Sequence, residues 1–209
     1  MENYSRKIEK RLLRTQHRES KILPHPVEDC GLTFGNDTYI IKATLIMRKC
    51  CQKYTGKRGE QSMEHITSRQ NALMTHIRKL NASRAYRRAS GEYLCDGVKL
   101  LEEALRWNAP LKTVVLSEGV DAPALPSGVR AVQVPADVMR SISPMETPQG
   151  ALFTVRLPDT ALPETLSGAH YLVLDGVQDP GNVGTILRTA DAFDCDGVFI
   201  VNACADPYS

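Results

Sequence analysis

At 209 residues, of which 42% are hydrophobic, the chain suits one or two domains with a packed core. Its longest apolar stretch, residues 39–47, is interrupted by Lys42 and is too short to span a bilayer, and the opening MENYSRKIEKRLLR lacks the apolar centre of a signal peptide. No membrane association and a cytoplasmic location are therefore expected.

The net charge of +2 conceals an asymmetry: residues 1–62 hold 13 Lys and Arg against 7 acidic residues, and residues 63–209 hold 13 against 17. Arg6, Lys7, Lys10, Arg11, Arg14 and Arg18 form a basic run with only Ile8, Leu12 and Leu13 to pack. That run reads as a solvated helix or a disordered nucleic-acid-binding arm. A Gly-containing turn and a β-like run follow between residues 27 and 47, with no partner evident.

Six cysteines (Cys30, Cys50, Cys51, Cys95, Cys195, Cys204) form no CxxC pair and no Cys/His cluster at zinc spacing. They read as reduced, structural thiols. The five histidines are scattered, so no metal site is expected.

From residue 66 to 88, Leu73, Ile77 and Leu80 recur on one helical face while Arg69, Arg78, Lys79, Arg84, Arg87 and Arg88 lie mostly elsewhere. Such side chains suit phosphates, whose neutralisation gives affinity without sequence specificity, or they form an ordinary solvated face. Residues 91–155 then alternate: strand 92–95, a helix marked by Val98, Leu101 and Leu105 and stopped by Pro110, strands 112–116 and 129–134, a short helix 136–141, and strand 151–155. Short strands separated by short helices predict a compact α/β domain. Residues 157–169, with two prolines and no periodicity, read as a linker.

Residues 171–193 (YLVLDGVQDPGNVGTILRTADAF) read as strand, polar loop and helix, and residues 197–201 as the second strand of a βαβ unit, parallel to the first. Pro180 biases Asp179 toward extended backbone, Gly181 is available for an angle forbidden to other residues, and Asn182 suits the helix N-cap. Arg188, four residues beyond Gly184, is expected beside the bare start of the helix, where free N–H groups and a cation suit a phosphate. The competing reading is an ordinary βα connection. Neither GxxxxGK[ST] nor GxGxxG occurs, which weakens a third reading as a nucleotide-binding α/β enzyme.

The string DGVQDPGNVGTILRTAD (175–191) resembles the first motif of the SpoU, or TrmH, family of RNA ribose 2′-O-methyltransferases in the SPOUT superfamily. Upstream, SRQN (68–71), GEYLCDGVKLLEE (91–103) and TPQG (147–150) look like that family's RNA substrate-binding domain. The resemblance extends from Met63 to about Val201.

It implies an α/β fold: a small α/β RNA substrate-binding domain at 63–157, a linker at 158–169, and at 170–209 the first βαβ part of a trefoil-knot methyltransferase domain. Residues 1–62 would be a basic extension upstream of a native start at Met63. Asn182 and Arg188 match the motif positions that serve the reaction. Methyl transfer to a 2′-hydroxyl needs alignment and stabilisation of charge on oxygen; a guanidinium accepts no proton, so Arg188 is expected to act electrostatically and Asn182 to orient it, hold the loop or cap the helix. Arg69, Lys79, Arg84, Arg87 and Arg88 are the candidate RNA contacts. In the family, S-adenosylmethionine is bound by later motifs, expected beyond Ser209, so the chain looks truncated, is expected to bind no cofactor by itself, and would dimerise only in a full-length form. The expected function is 2′-O-methylation of ribosomal or transfer RNA; the alternative is a non-catalytic RNA-binding module or truncated gene product.

Overall fold

The computed structural model describes residues 63–159, 165–166 and 168–209, together with 25–26 and 39–41. The basic run at residues 6–18 lies outside the described residues. The elements are, in chain order, β1 (His25–Pro26), β2 (Tyr39–Ile41), β3 (Glu64–His65), α1 (Ala72–Ala82), α2 (Arg84–Ser90), β4 (Glu92–Asp96), α3 (Val98–Arg106), β5 (Leu111–Ser117), β6 (Arg130–Val134), α4 (Ala136–Ile142), β7 (Ala151–Arg156), β8 (Thr165–Leu166), β9 (Tyr171–Asp175), α5 (Pro180–Ala192) and β10 (Gly197–Val201).

The larger sheet has the order β3-β6-β5-β7-β4; β3, β6 and β5 run parallel, and β7 runs antiparallel to both β5 and β4. Strand alternation sends its side chains into two cores. On one face Val115, Val132, Val134 and Leu152 meet Leu73, Met74 and Ile77 of α1 and Val138, Met139 and Ile142 of α4. On the other Val114, Leu116, Ala131, Ala151, Phe153 and Val155 meet Leu101 of α3 with Leu125 and Val129. Both faces being covered explains why β5 and β7 read as continuous apolar runs.

The strands and helices expected between residues 91 and 155 are all present, shifted by at most a residue or two at their ends. The helical pattern at 66–88 is two helices rather than one. Asn71 caps α1 by accepting from Leu73 N at 2.8 Å, and Ser83 leaves helical geometry to cap α2, accepting from Tyr86 N at 3.2 Å. A hydroxyl at residue 83 thus satisfies the amide that a restarted helix would leave bare.

The smaller sheet has the order β2-β10-β9, with β9 and β10 parallel in the register Gly197↔Tyr171 to Val201↔Asp175. The βαβ expectation therefore holds. The other edge of β10 is paired with β2, antiparallel, in the register Val198↔Ile41. α5 covers one face, where Val183 and Ala190 pack with Leu174, Val198, Ile200 and Cys204. The expected linker at 158–169 includes β8, which pairs antiparallel with β1.

At the edge of the first core Glu92 on β4 is buried, paired with the Lys112 ammonium and 3.7 Å from His76 Nε2. Burial opposes its charge, but Lys112 and His76 outweigh that and hold its carboxyl below the ordinary value of 4.5. A depressed carboxyl contributes stability above the unfolded-state value and loses it as pH falls through the folded one. Denaturation midpoints should therefore fall below about pH 4.5, and less so in Glu92→Gln. Ile77, fully buried on α1, sets the scale of the core. Ile77→Ala should cost about 2–5 kcal/mol in urea unfolding with an unchanged m-value.

Candidate active site and nucleic-acid interface

The loop between β9 and α5 turns on Gly176, whose φ of +65° is the left-handed angle the segment requires. Gly181 has no such angle and lies inside the helix. There a β-carbon would meet Asp179 Oδ1 at 2.9 Å, so glycine leaves that carboxylate in place.

The helix starts three residues earlier than an N-cap at Asn182 would place it. Asp179, extended at φ −81° and ψ 118°, is the N-cap, and its Oδ1 accepts from Asn182 N at 2.8 Å. Pro180 occupies the first turn, where a missing N–H costs nothing and a fixed φ favours the helix. Asn182 is thus the third residue of α5 and does not cap it. The Asp-Pro pair carried this signal in the sequence.

The start of α5 is accordingly less bare than expected. Pro180 has no N–H, that of Asn182 is satisfied, and the capping group is itself a carboxylate, which opposes a phosphate approaching along the axis. The cation is placed as expected. Arg188 is exposed and folds back toward the helix start, its Nη2 donating to Thr185 Oγ1 at 3.2 Å while Thr185 Oγ1 donates to Gly181 O at 2.9 Å. The guanidinium lies over Gly184, where a β-carbon would stand 3.5 Å from Arg188 Nη1, an ordinary contact distance. Asn182, Thr185 and Arg188 are all exposed along the first two turns.

Behind this face the chain after β10 is tied to the loop. Val177 N donates to Cys204 Sγ at 3.2 Å, and Ala205 N donates to Val177 O at 2.8 Å. Cys204, buried, donates in turn to the Leu174 and Val201 carbonyls at 3.3 and 3.1 Å. At the carboxyl ends of the strands Asn202 Nδ2 donates to Asp175 Oδ1. Sequence reasoning missed Asp179, Thr185 and Cys204. An i,i+3 pairing points to Thr185, but nothing local points to Cys204.

The five candidate RNA contacts separate into exposed and internal groups. Arg88 is exposed. Arg69 is exposed and paired with Asp137 at 2.7 Å, holding that carboxyl below its usual range. An exposed pair is weak enough to exchange for a phosphate. Lys79, also exposed, stands over the Tyr86 ring, 5.5 Å from its centroid. Arg84 is half-buried.

Arg87 is not available to RNA. It is 5% exposed; Nη2 and Nε donate to Asp206 Oδ2 at 2.7 and 3.2 Å, and Nη1 donates to Leu80 O at 2.6 Å. Its partner lies 119 residues away, so helical spacing alone could not show that this position faces inward.

Two family descriptions match in succession: an MRM3-like substrate binding domain over residues 71–152 and the SpoU rRNA Methylase family over residues 169–209. The second match places residues 169–209 in the SpoU methylase family. It is 30% identical over 148 residues to the 23S rRNA (guanosine(2553)-2′-O)-methyltransferase RlmP of Bacillus subtilis, covering 70% of this chain and 58% of that protein. To the mitochondrial rRNA methyltransferase 3 of Homo sapiens it is 31% identical over 150 residues, covering 67% and 35%. Among solved structures, a TrmH-family member from Porphyromonas gingivalis aligns with a TM-score of 0.57 and 34% identity, over 68% of this chain and 56% of that one. An AdoMet-bound rRNA methyltransferase from Sinorhizobium meliloti aligns with a TM-score of 0.56 and 28% identity, over 70% and 57%. The chain thus spans a little over half the length of these bacterial relatives.

Among the described residues no helix is long and apolar enough to cross a membrane, and no cluster of three His, Cys, Asp or Glu side chains is placed to hold a metal.

The cap is the testable part of this geometry. Asp179→Ala should destabilise by about 0.5–2 kcal/mol in chemical denaturation, and Asp179→Asn by less, because the amide oxygen still accepts from Asn182.

Proposed function

We propose that the protein containing this chain is an S-adenosylmethionine-dependent ribose 2′-O-methyltransferase of ribosomal or transfer RNA. In this reading residues 63–157 grip the substrate and residues 170–209 begin the catalytic unit. What supports it most is the placement of Arg188: an exposed cation held by Thr185 over the first turn of α5, beside Asn182, inside the segment that matches the SpoU family. The relatives named for 23S rRNA and for mitochondrial rRNA favour ribosomal RNA. A cytoplasmic homodimer completes the reading.

When bound, S-adenosylmethionine would supply an electrophilic methyl carbon to the ribose oxygen, and the hydroxyl proton would leave to water. Charge builds on the oxygen as it attacks, and Arg188 steadies that charge without taking the proton. Asn182, one turn earlier on the same helix, orients the ribose or the guanidinium. Because the Asp179 carboxylate occupies the helix tip, the nucleotide's phosphate is expected on the Arg188 flank rather than on the axis. Lys79, Arg69 and Arg88 supply non-specific backbone affinity.

The alternative is a non-catalytic RNA-binding module, which would bind no methyl donor. Calorimetric titration of this chain with S-adenosylmethionine should show no micromolar binding; heat at that level would place a pocket within it. In the protein that contains the chain, Arg188→Ala should lower the methylation rate about 10²–10³-fold with RNA affinity unchanged. Retained turnover would remove Arg188 from the mechanism. Lys79→Ala with Arg88→Ala should instead weaken RNA binding and flatten its salt dependence by about two charges.

A further inference from the structure

Arg87 closes three structures on one another. Its Nη1 donates to the carbonyls of Leu80 and Asn81 at 2.6 and 3.3 Å, two groups that the last turn of α1 leaves without helical partners. Its other nitrogens grip Asp206, whose second oxygen accepts from Tyr208 N at 3.2 Å, so the carboxylate is held from both sides. The neighbouring residue, Ala205, donates to Val177 in the loop that leads to Asp179. A second contact lies alongside: the Tyr93 ring on β4 stands 5.1 Å from that of Tyr208, tilted by 49°. Burial there pushes the Tyr93 phenol well above its ordinary pKa.

The path therefore runs from the basic helices through one buried ion pair to the loop that leads into α5, the helix bearing Asn182 and Arg188. A flexible join would leave the RNA-binding surface and the reactive helix free to drift, and misplacement of about 1 Å is enough to slow a reaction that depends on alignment. We propose that Arg87 is a positioning residue: through Asp206 and Ala205 it fixes the methyl-transfer loop in register with the RNA-gripping helices α1 and α2. The structural part stands on the contacts alone; its consequence for methylation rests on the function proposed above.

Amide exchange tests the clamp without RNA or cofactor. In Asp206→Asn, exchange at Val177 and Ala205 should rise about tenfold or more while the β5–β7 ladder keeps its protection. Tyr208→Leu, which leaves the ion pair intact, should raise it less. Arg87→Lys keeps the charge but cannot reach Leu80 and Asp206 together, and should fall between wild type and Asp206→Asn. Unchanged exchange at Val177 in a folded Asp206→Asn protein overturns the clamp, as does a loss of protection spread evenly through β4–β7. In the protein that contains the chain, Asp206→Asn should lower kcat about tenfold while KM for RNA moves less than about threefold; an unchanged kcat overturns the positioning role. If wild type methylates no RNA, the proposed function fails and the exchange result still decides the clamp.

Discussion

The exposed face of Asn182, Thr185 and Arg188 depends on where α5 begins, and that is set by the Asp179-Pro180 junction. Proline forbids helical backbone to the residue before it and is itself preset for the first turn, so the chain can enter the helix at Pro180 and hardly elsewhere. The Asp179 carboxylate then takes the Asn182 amide. Once the first turn is fixed, the positions of Thr185 and Arg188 follow from helical spacing, and the Thr185 hydroxyl holds the folded-back guanidinium. Asp179, Pro180 and Thr185 thus place one cation.

The same junction accounts for what could be read from sequence and what could not. The strands were legible because β5, β6 and β7 are β-branched runs bounded by turn residues, and both faces of the sheet are covered. The face of α1 was legible because Leu73, Ile77 and Leu80 repeat at helical spacing. Asn182 was misplaced by weighting the N-cap preference of asparagine above the stronger local signal of an aspartate followed by proline. Arg87 was misplaced for a different reason. Its charge suggested solvent, and only a partner 119 residues away makes burial tolerable. The pairing of β10 with β2 is non-local in the same way.

Burial also sorts the charges by what they can do. Exposed pairs such as Arg69–Asp137 contribute little to stability and give way easily, which suits side chains that are to meet a flexible polyanion. A buried pair such as Arg87–Asp206 contributes by the penalty for breaking it rather than by its own strength, so it is suited to holding geometry. Adjacent arginines on one short helix, Arg87 inward and Arg88 outward, therefore serve opposite ends: one anchors the fold and the other faces solvent.

That division bears on how an RNA could be read without a sequence-specific pocket. Phosphate contacts position a nucleic acid but carry no sequence information. If the proposed function holds and the basic helices only hold the backbone, selection of one ribose falls to distance: the nucleotide methylated would be whichever one the rigid path from α2 to Arg188 can reach. Rigidity between the gripping helices and the reactive helix would then be a determinant of specificity, and a buried ion pair is better suited to supply it than any exposed side chain on either surface.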